Sequence, residues 1–120
     1  MSSTLRIAVM EEQGTAPVTV FQLNGSLDAS TKDTLESKAE EAIGSGASNL
    51  LFDLSGVDYM GSAGLRAFHA ISKRIAVAET GPGKLKLVNP SDPVSRVLKT
   101  LGFDAFFEVH KDLDSALKSF

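Results

Sequence analysis

The sequence predicts an α/β fold, a single domain over residues 1–120 with a mixed, mostly parallel sheet of about five strands, about four helices and the order ββαβαβαβα. Three observations carry this. Two β-rich runs, Leu5–Met10 and Val18–Leu23, are joined through the polar Glu11-Glu12-Gln13-Gly14, and so short a connection suits an antiparallel pair. Strand-like segments then alternate with helix-like ones, which right-handed crossovers assemble into parallel strands, leaving the first strand as the antiparallel member. Finally, Leu50-Leu51-Phe52-Asp53-Leu54 is almost continuously apolar, as expected of a central strand covered on both faces.

Each element has its own signal. Leu5, Ile7 and Val9 alternate with Arg6, Ala8 and Met10, giving the first strand one strongly apolar face. Asn24-Gly25-Ser26-Leu27-Asp28 breaks the second run, and Ser30 is placed to cap a helix, with Asp33 completing a box-like arrangement. Leu35, Ala39, Ala42 and Ile43 share a face of that helix, and Gly44-Ser45-Gly46 ends it where positive φ is easily reached. After the central strand a turn is expected at Ser55-Gly56. The segment Val57–Gly64 then enters a second helix with Leu65, Phe68, Ser72 and Ile75 on one side, closed by residues 79–83. Leu85 and Leu87 alternate with Lys84 and Lys86 in a fourth strand that stops at Asn89-Pro90. Ser91 or Asp92 caps the third helix, Pro93 suits its first turn and Gly102 the position past its end, with Val94, Val97, Leu98 and Leu101 facing the core. Phe106–Val109 reads as a short strand, and Asp112 caps a terminal helix bearing Leu113, Ala116, Leu117 and Phe120 at i, i+3, i+4 and i+7.

Composition narrows the functions. At 42% hydrophobic and 22% charged residues, 120 residues are expected to bury roughly 65% of the unfolded surface and to fold without staples. The absence of Cys excludes disulfides, thiolate zinc sites and cysteine nucleophiles. A net charge of −3 supplies no overall positive field for phosphate backbones or anionic lipid, so neither nucleic acid nor direct membrane insertion is expected. Without a signal-like N-terminus or a window near the ~18 apolar residues of a membrane span, a soluble cytoplasmic protein is expected.

Ligands and partners of such sheets meet the carboxyl ends of the parallel strands, where residues 24–30 and 58–64 should lie. Ser62, flanked by Gly61 and Gly64, has two readings there. It is a helix cap, or it is a phosphoacceptor whose phosphate gains from unpaired N–H groups and a dipole contribution of ~0.3–1 kcal/mol. A catalytic serine fits poorly, because the glycine two positions earlier that a nucleophile elbow requires is missing and His69 lies seven residues on. His69 and His110 lack metal-ligand spacing, and Gly44-Ser45-Gly46 and Gly81-Pro82-Gly83 lack the lysine of a phosphate loop. No cofactor is therefore expected. Asp53 and Asp58, around a strand end, read as turn residues rather than an acid–base pair.

Four segments in register carry a resemblance across nearly the whole chain. They are Gly25-Ser26-Leu27-Asp28 with Thr31 and Leu35; Leu51 through Leu65; Leu85-Lys86-Leu87-Val88-Asn89-Pro90; and Val97-Leu98-Lys99-Thr100-Leu101-Gly102-Phe103. Together they resemble a STAS domain of the bacterial anti-sigma factor antagonist type. The resemblance implies a small non-enzymatic domain that binds a partner-switching anti-sigma factor, often itself a serine kinase using ATP, and so releases a sigma factor.

In that family the loop corresponding to Met60–Leu65 usually reads Asp-Ser-Ser/Thr-Gly-Leu, with phosphorylation on one of its two hydroxyl residues. Here Gly61 replaces the aspartate and Ala63 the second hydroxyl residue, while Ser62, Gly64 and Leu65 match, so Ser62 is the only hydroxyl left in the loop. The resemblance thus points to Ser62 for phosphorylation and to Asp28, Asp58, Met60, Gly61, Ser62, Ala63, Gly64 and Leu65 for partner binding. On spacing alone Asp28 reads equally as a turn or cap residue. Gly61 and Ala63 also suit a second expectation, a STAS adaptor that is never phosphorylated, such as the soluble subunit of a lipid-transport ABC system or a signalling scaffold.

Overall fold

A computed structural model describes residues 4–77 and 83–120, with Asp104 described by its backbone alone. The expected closing turn of the second helix, residues 79–83, lies outside the described residues except for Gly83. The elements are β1 (Leu5–Gln13), β2 (Pro17–Leu27), α1 (Lys32–Gly44), β3 (Asn49–Met60), α2 (Ser62–Ala76), β4 (Lys84–Val88), α3 (Asp92–Thr100), a 3₁₀ turn (Phe103–Ala105), β5 (Val109–His110) and α4 (Leu113–Lys118). Sheet order follows chain order, β1-β2-β3-β4-β5, with β1 antiparallel to β2 and every other pair parallel. The expected fold class and central strand are both realised.

Because all three crossovers step the same way across the sheet, right-handed connections place α1, α2 and α3 on one face. The main core forms there. Phe21 and Phe52 are paired residues on adjacent parallel strands, so their rings stack with centroids 4.6 Å apart. Phe68 of α2 meets Phe52 edge-on at 5.1 Å. Leu35, Ala39 and Ile43 of α1 and Val94 and Leu98 of α3 complete this layer. The opposite face carries a smaller core in which Val18, Val20, Leu51 and Val88 are covered by Ala116 and Leu117 of α4. Among the described residues no helix is long and apolar enough to cross a membrane.

Several expected details differ. Ser30 does not cap α1; Thr31 is the N-cap residue, and the Ser30 N–H and hydroxyl both donate to the Asp28 carboxylate, at 2.9 and 2.6 Å. Leu101, the C-cap residue of α3, and Leu113, the first residue of α4, are exposed rather than core-facing. The expected strand at Phe106–Val109 shortens to Val109–His110. Gly102 leaves α3 at φ 74°, and the N–H groups of Phe106 and Phe107 both donate to the Phe103 carbonyl. That extra turn sends Phe107 into the core and leaves Phe106 in solvent.

Lys86 is the largest departure. Alternation placed it opposite Leu85 and Leu87, yet it is only 4% exposed, because α4 covers that face of β4. Its stem is sheltered and its ammonium is satisfied locally. Nζ donates to the Ser119 carbonyl at 2.8 Å and Ser119 Oγ at 2.9 Å, pairs with Glu108 at 2.8 Å, and lies 4.8 Å from the centre of the Phe120 ring. The hydrogen bond from Lys86 holds the Glu108 carboxyl below its ordinary value, with the charges of Lys86 and His110 acting in the same direction. A carboxyl depressed in the folded state contributes stability that is present above its unfolded pKa and is lost as pH falls through the folded one. Urea midpoints are therefore expected to decline below about pH 4, less steeply in Glu108→Gln, which is also less stable at neutral pH because it leaves the buried ammonium short of its counter-charge. Parallel titration curves for the two proteins would contradict this.

Candidate functional site

The site is built where β2 and β3 end side by side. Leu27 and Met60 are paired at the carboxyl edge of the sheet, and the Gly61 N–H donates to the Leu27 carbonyl at 2.8 Å. This bond ties the entrance of α2 to the end of β2. Thr31, buried, ties the neighbouring loop: its hydroxyl donates to the Ser26 carbonyl at 2.8 Å and accepts from the Asp28 N–H at 3.0 Å. The two loops form one lip.

The expected turn at Ser55-Gly56 is a β-bulge, and β3 continues to Met60. Gln22 pairs with Asp53 and Asn24 with Gly56, so Leu54 and Ser55 both oppose Leu23. Asp53 supports the irregularity by accepting from the Ser55 N–H at 3.0 Å. A second shift follows, with Gly25 opposite Val57 and Ser26 opposite Tyr59, leaving Asp58 as the extra residue. In a regular strand, neighbours face opposite sides; the bulge lets Asp58 and Tyr59 both reach solvent before Met60 turns inward. Ser26 Oγ donates to Asp58 Oδ1 at 3.0 Å and bridges the two strands.

Gly61 is the N-cap residue of α2, and Ser62 is its first helical residue, exposed and one position past the cap. Capping is thus not its role. The Gly64 and Leu65 N–H groups both turn to the Gly61 carbonyl, and those of Ser62 and Ala63 belong to the unsatisfied first turn. Gly64 is required by closeness rather than by backbone angle, because a Cβ there would lie 2.8 Å from the Leu27 Cβ. The close approach sets α2 against the end of β2.

The expected partner-binding residues divide by burial. Asp58 and Ser62 are exposed, and Asp28 and Gly61 are half-buried. Met60, Ala63, Gly64 and Leu65 are buried, so their side-chain positions face the protein and support the lip. The Asp28 carboxylate is engaged within its own loop by Ser30. His69 is remote from Ser62, with its ring edge-on to Phe106 at 6.3 Å between centroids. Tyr59 is the residue that the sequence reading passed over. It is 57% exposed, and a Cβ on Gly61 would lie 3.2 Å from its hydroxyl and 3.4 Å from Cε2. The phenol therefore leans over Gly61 beside Ser62, in space that a side chain at position 61 would enter. Two adjacent polar-tipped residues, Asp58-Tyr59, ahead of a glycine were its sequence signal, obscured by ending the strand too early.

The comparisons agree with this architecture. The family model described as STAS domain matches residues 8–116. The anti-sigma-F factor antagonist RsfB of Mycobacterium tuberculosis is 27% identical over 114 residues, covering 95% of this chain and 88% of that protein. The crystal structure of an anti-sigma factor antagonist from Mycobacterium paratuberculosis has a TM-score of 0.81 at 26% identity, over 97% of this chain and 93% of that one. The unphosphorylated form of the anti-sigma factor antagonist SpoIIAA shares the fold, with a TM-score of 0.72 at 20% identity over 93% and 95% of the two chains. With a parallel sheet opened by an antiparallel strand, and a glycine-flanked serine starting the second helix, this chain belongs to the STAS domain family.

Proposed function

We propose that this protein is an anti-sigma factor antagonist working in the cytoplasm: it docks an anti-sigma factor, itself a serine kinase, on the lip formed by Asp28, Asp58, Tyr59, Gly61 and Ser62, and releases a sigma factor. Phosphate on Ser62 ends the docking. The observation that carries this reading is Ser62 itself, an exposed hydroxyl-bearing residue in the first turn of α2, one position past the cap. The buried Ala63 offers neither a hydroxyl nor access, which leaves Ser62 as the loop's one acceptor. Its relatives bear the same functional name. No bond-making machinery is needed. Phosphate adds about −1.5 to −2 charges beside Asp58 and Asp28, and an unmatched charge inside an interface costs several kcal/mol.

The test uses the anti-sigma factors encoded in the same genome, each incubated with the protein, ATP and Mg²⁺. Intact mass is expected to show one added phosphate on the wild type and none on Ser62→Ala, and calorimetry to show binding of the unmodified form alone. Binding without any mass gain would replace the switch with the constitutive adaptor that Gly61 and Ala63 suit. If none of the anti-sigma factors binds, the reading fails altogether.

A further inference from the structure

We propose that the groove between the outer face of α2 and the 3₁₀ turn is a second docking surface, which receives an acidic amphipathic helix from a protein partner. One apolar side chain enters the groove, and a carboxylate on either side of it pairs with Arg66 and Lys73. This goes beyond the lip at Ser62 and does not depend on it. The groove encloses about 460 Å³ and is lined by Arg66, His69, Ala70, Lys73, Phe103 and Phe106. Its wall is Phe106, 72% exposed, with its ring 6.1 Å from that of Phe103 and 6.3 Å from that of His69. Scattered exposed aliphatics are ordinary; a phenylalanine held in water as the wall of a concave apolar surface marks an interaction site.

Charge selects the occupant. The whole chain carries −3, yet the described lining residues include two fixed cations and no carboxylate. Among the described residues neither Arg66 nor Lys73 forms an ion pair, whereas the neighbouring Arg74 is held by Glu40 at 3.3 Å. Arg66 and Lys73 are seven positions apart, about 10 Å along the helix axis, the spacing of two carboxylates at i and i+7 on a helix lying alongside. An apolar residue at i+3 or i+4 then points between them into the groove. A lipid surface suits this face less, because the rings wall a recess and the rest of the chain is acidic.

The test titrates the isotopically labelled full chain with a synthetic helical peptide of about fifteen residues carrying Glu, Leu and Glu at i, i+4 and i+7. Amide shifts are expected to saturate at about millimolar peptide or below and to centre on residues 66–73 and 103–106. Affinity should fall at least about fivefold in the Arg66→Glu, Lys73→Glu double variant and in Phe106→Ser, and should weaken with added salt. Both variants alter exposed positions, and unchanged melting temperatures confirm that they fold. The proposal is overturned by the absence of saturable shifts, by shifts centred elsewhere, by equal affinity for the same peptide with Lys in place of Glu, or by binding to phosphatidylglycerol vesicles without binding to the peptide.

Discussion

Ser62→Glu is expected to weaken docking of the anti-sigma factor by ~100-fold or more, while Ser62→Ala stays within a few-fold of the wild type. A permanent carboxylate at position 62 adds to those of Asp58 and Asp28 at the lip, and burying it without a counter-charge costs several kcal/mol, each ~1.4 kcal/mol being tenfold in affinity. The same substitution is expected to leave the fold intact or slightly firmer. Ser62 is the first residue of α2 and exposed, and a negative charge in the first helical turn is worth about 0.3–1 kcal/mol. Loss of binding together with an unchanged or raised melting temperature therefore separates a charge effect from unfolding. Calorimetric titration of the three proteins reads the first quantity and thermal denaturation the second. An affinity for Ser62→Glu within about threefold of the wild type would remove Ser62 from the interface.

Phe52→Ala is expected to cost about 3–5 kcal/mol, out of the roughly 5–15 kcal/mol that stabilises a domain. Phe52 is fully buried in the middle strand and joins the Phe21 ring on β2 to the Phe68 ring on α2. Truncation removes both ring contacts and leaves a cavity between sheet and helix, with little freedom to collapse because the strands on each side are hydrogen-bonded in place. A fall in melting temperature on the order of 10–20 °C follows, with urea unfolding giving a lower midpoint at unchanged slope. A loss below about 1 kcal/mol would mean that the three rings are not the centre of the core. The same rings carry α2, and with it Ser62, so reduced docking in this variant should track the unfolded fraction and recover on cooling.

Where the sequence and the structure agree, the signal was local. The run at Leu50–Leu54, apolar except for the half-buried Asp53, is the central strand because sheet neighbours on both sides and core on both faces leave little room for polar side chains. Pro93 and Gly102 bracket α3 because one lacks an N–H that the first turn does not use and the other accepts φ 74° without penalty. Asp112 caps α4 as expected, its carboxylate accepting from the Ser115 N–H at 2.8 Å. The serine between two glycines at the start of α2 was likewise visible, since its position depends on the residues around it.

Other details depended on partners distant in the chain. Ser55-Gly56 reads as a turn in isolation and becomes a bulge only because β2 runs alongside and pairs beyond it, which also carries Asp58 and Tyr59 outward. Lys86 reads as solvent-facing and is buried because a helix more than twenty-five residues later lies across its strand. Met60 and Leu65, which the family resemblance groups with the docking residues, are turned inward by the packing of α2 on the sheet. Periodicity and special backbone residues act within a few positions, so the sequence by itself determined which elements form, their order and the serine that opens α2. Which faces of those elements meet water is set by long-range pairing and coverage, and that division between lip and core was decided only in the tertiary structure.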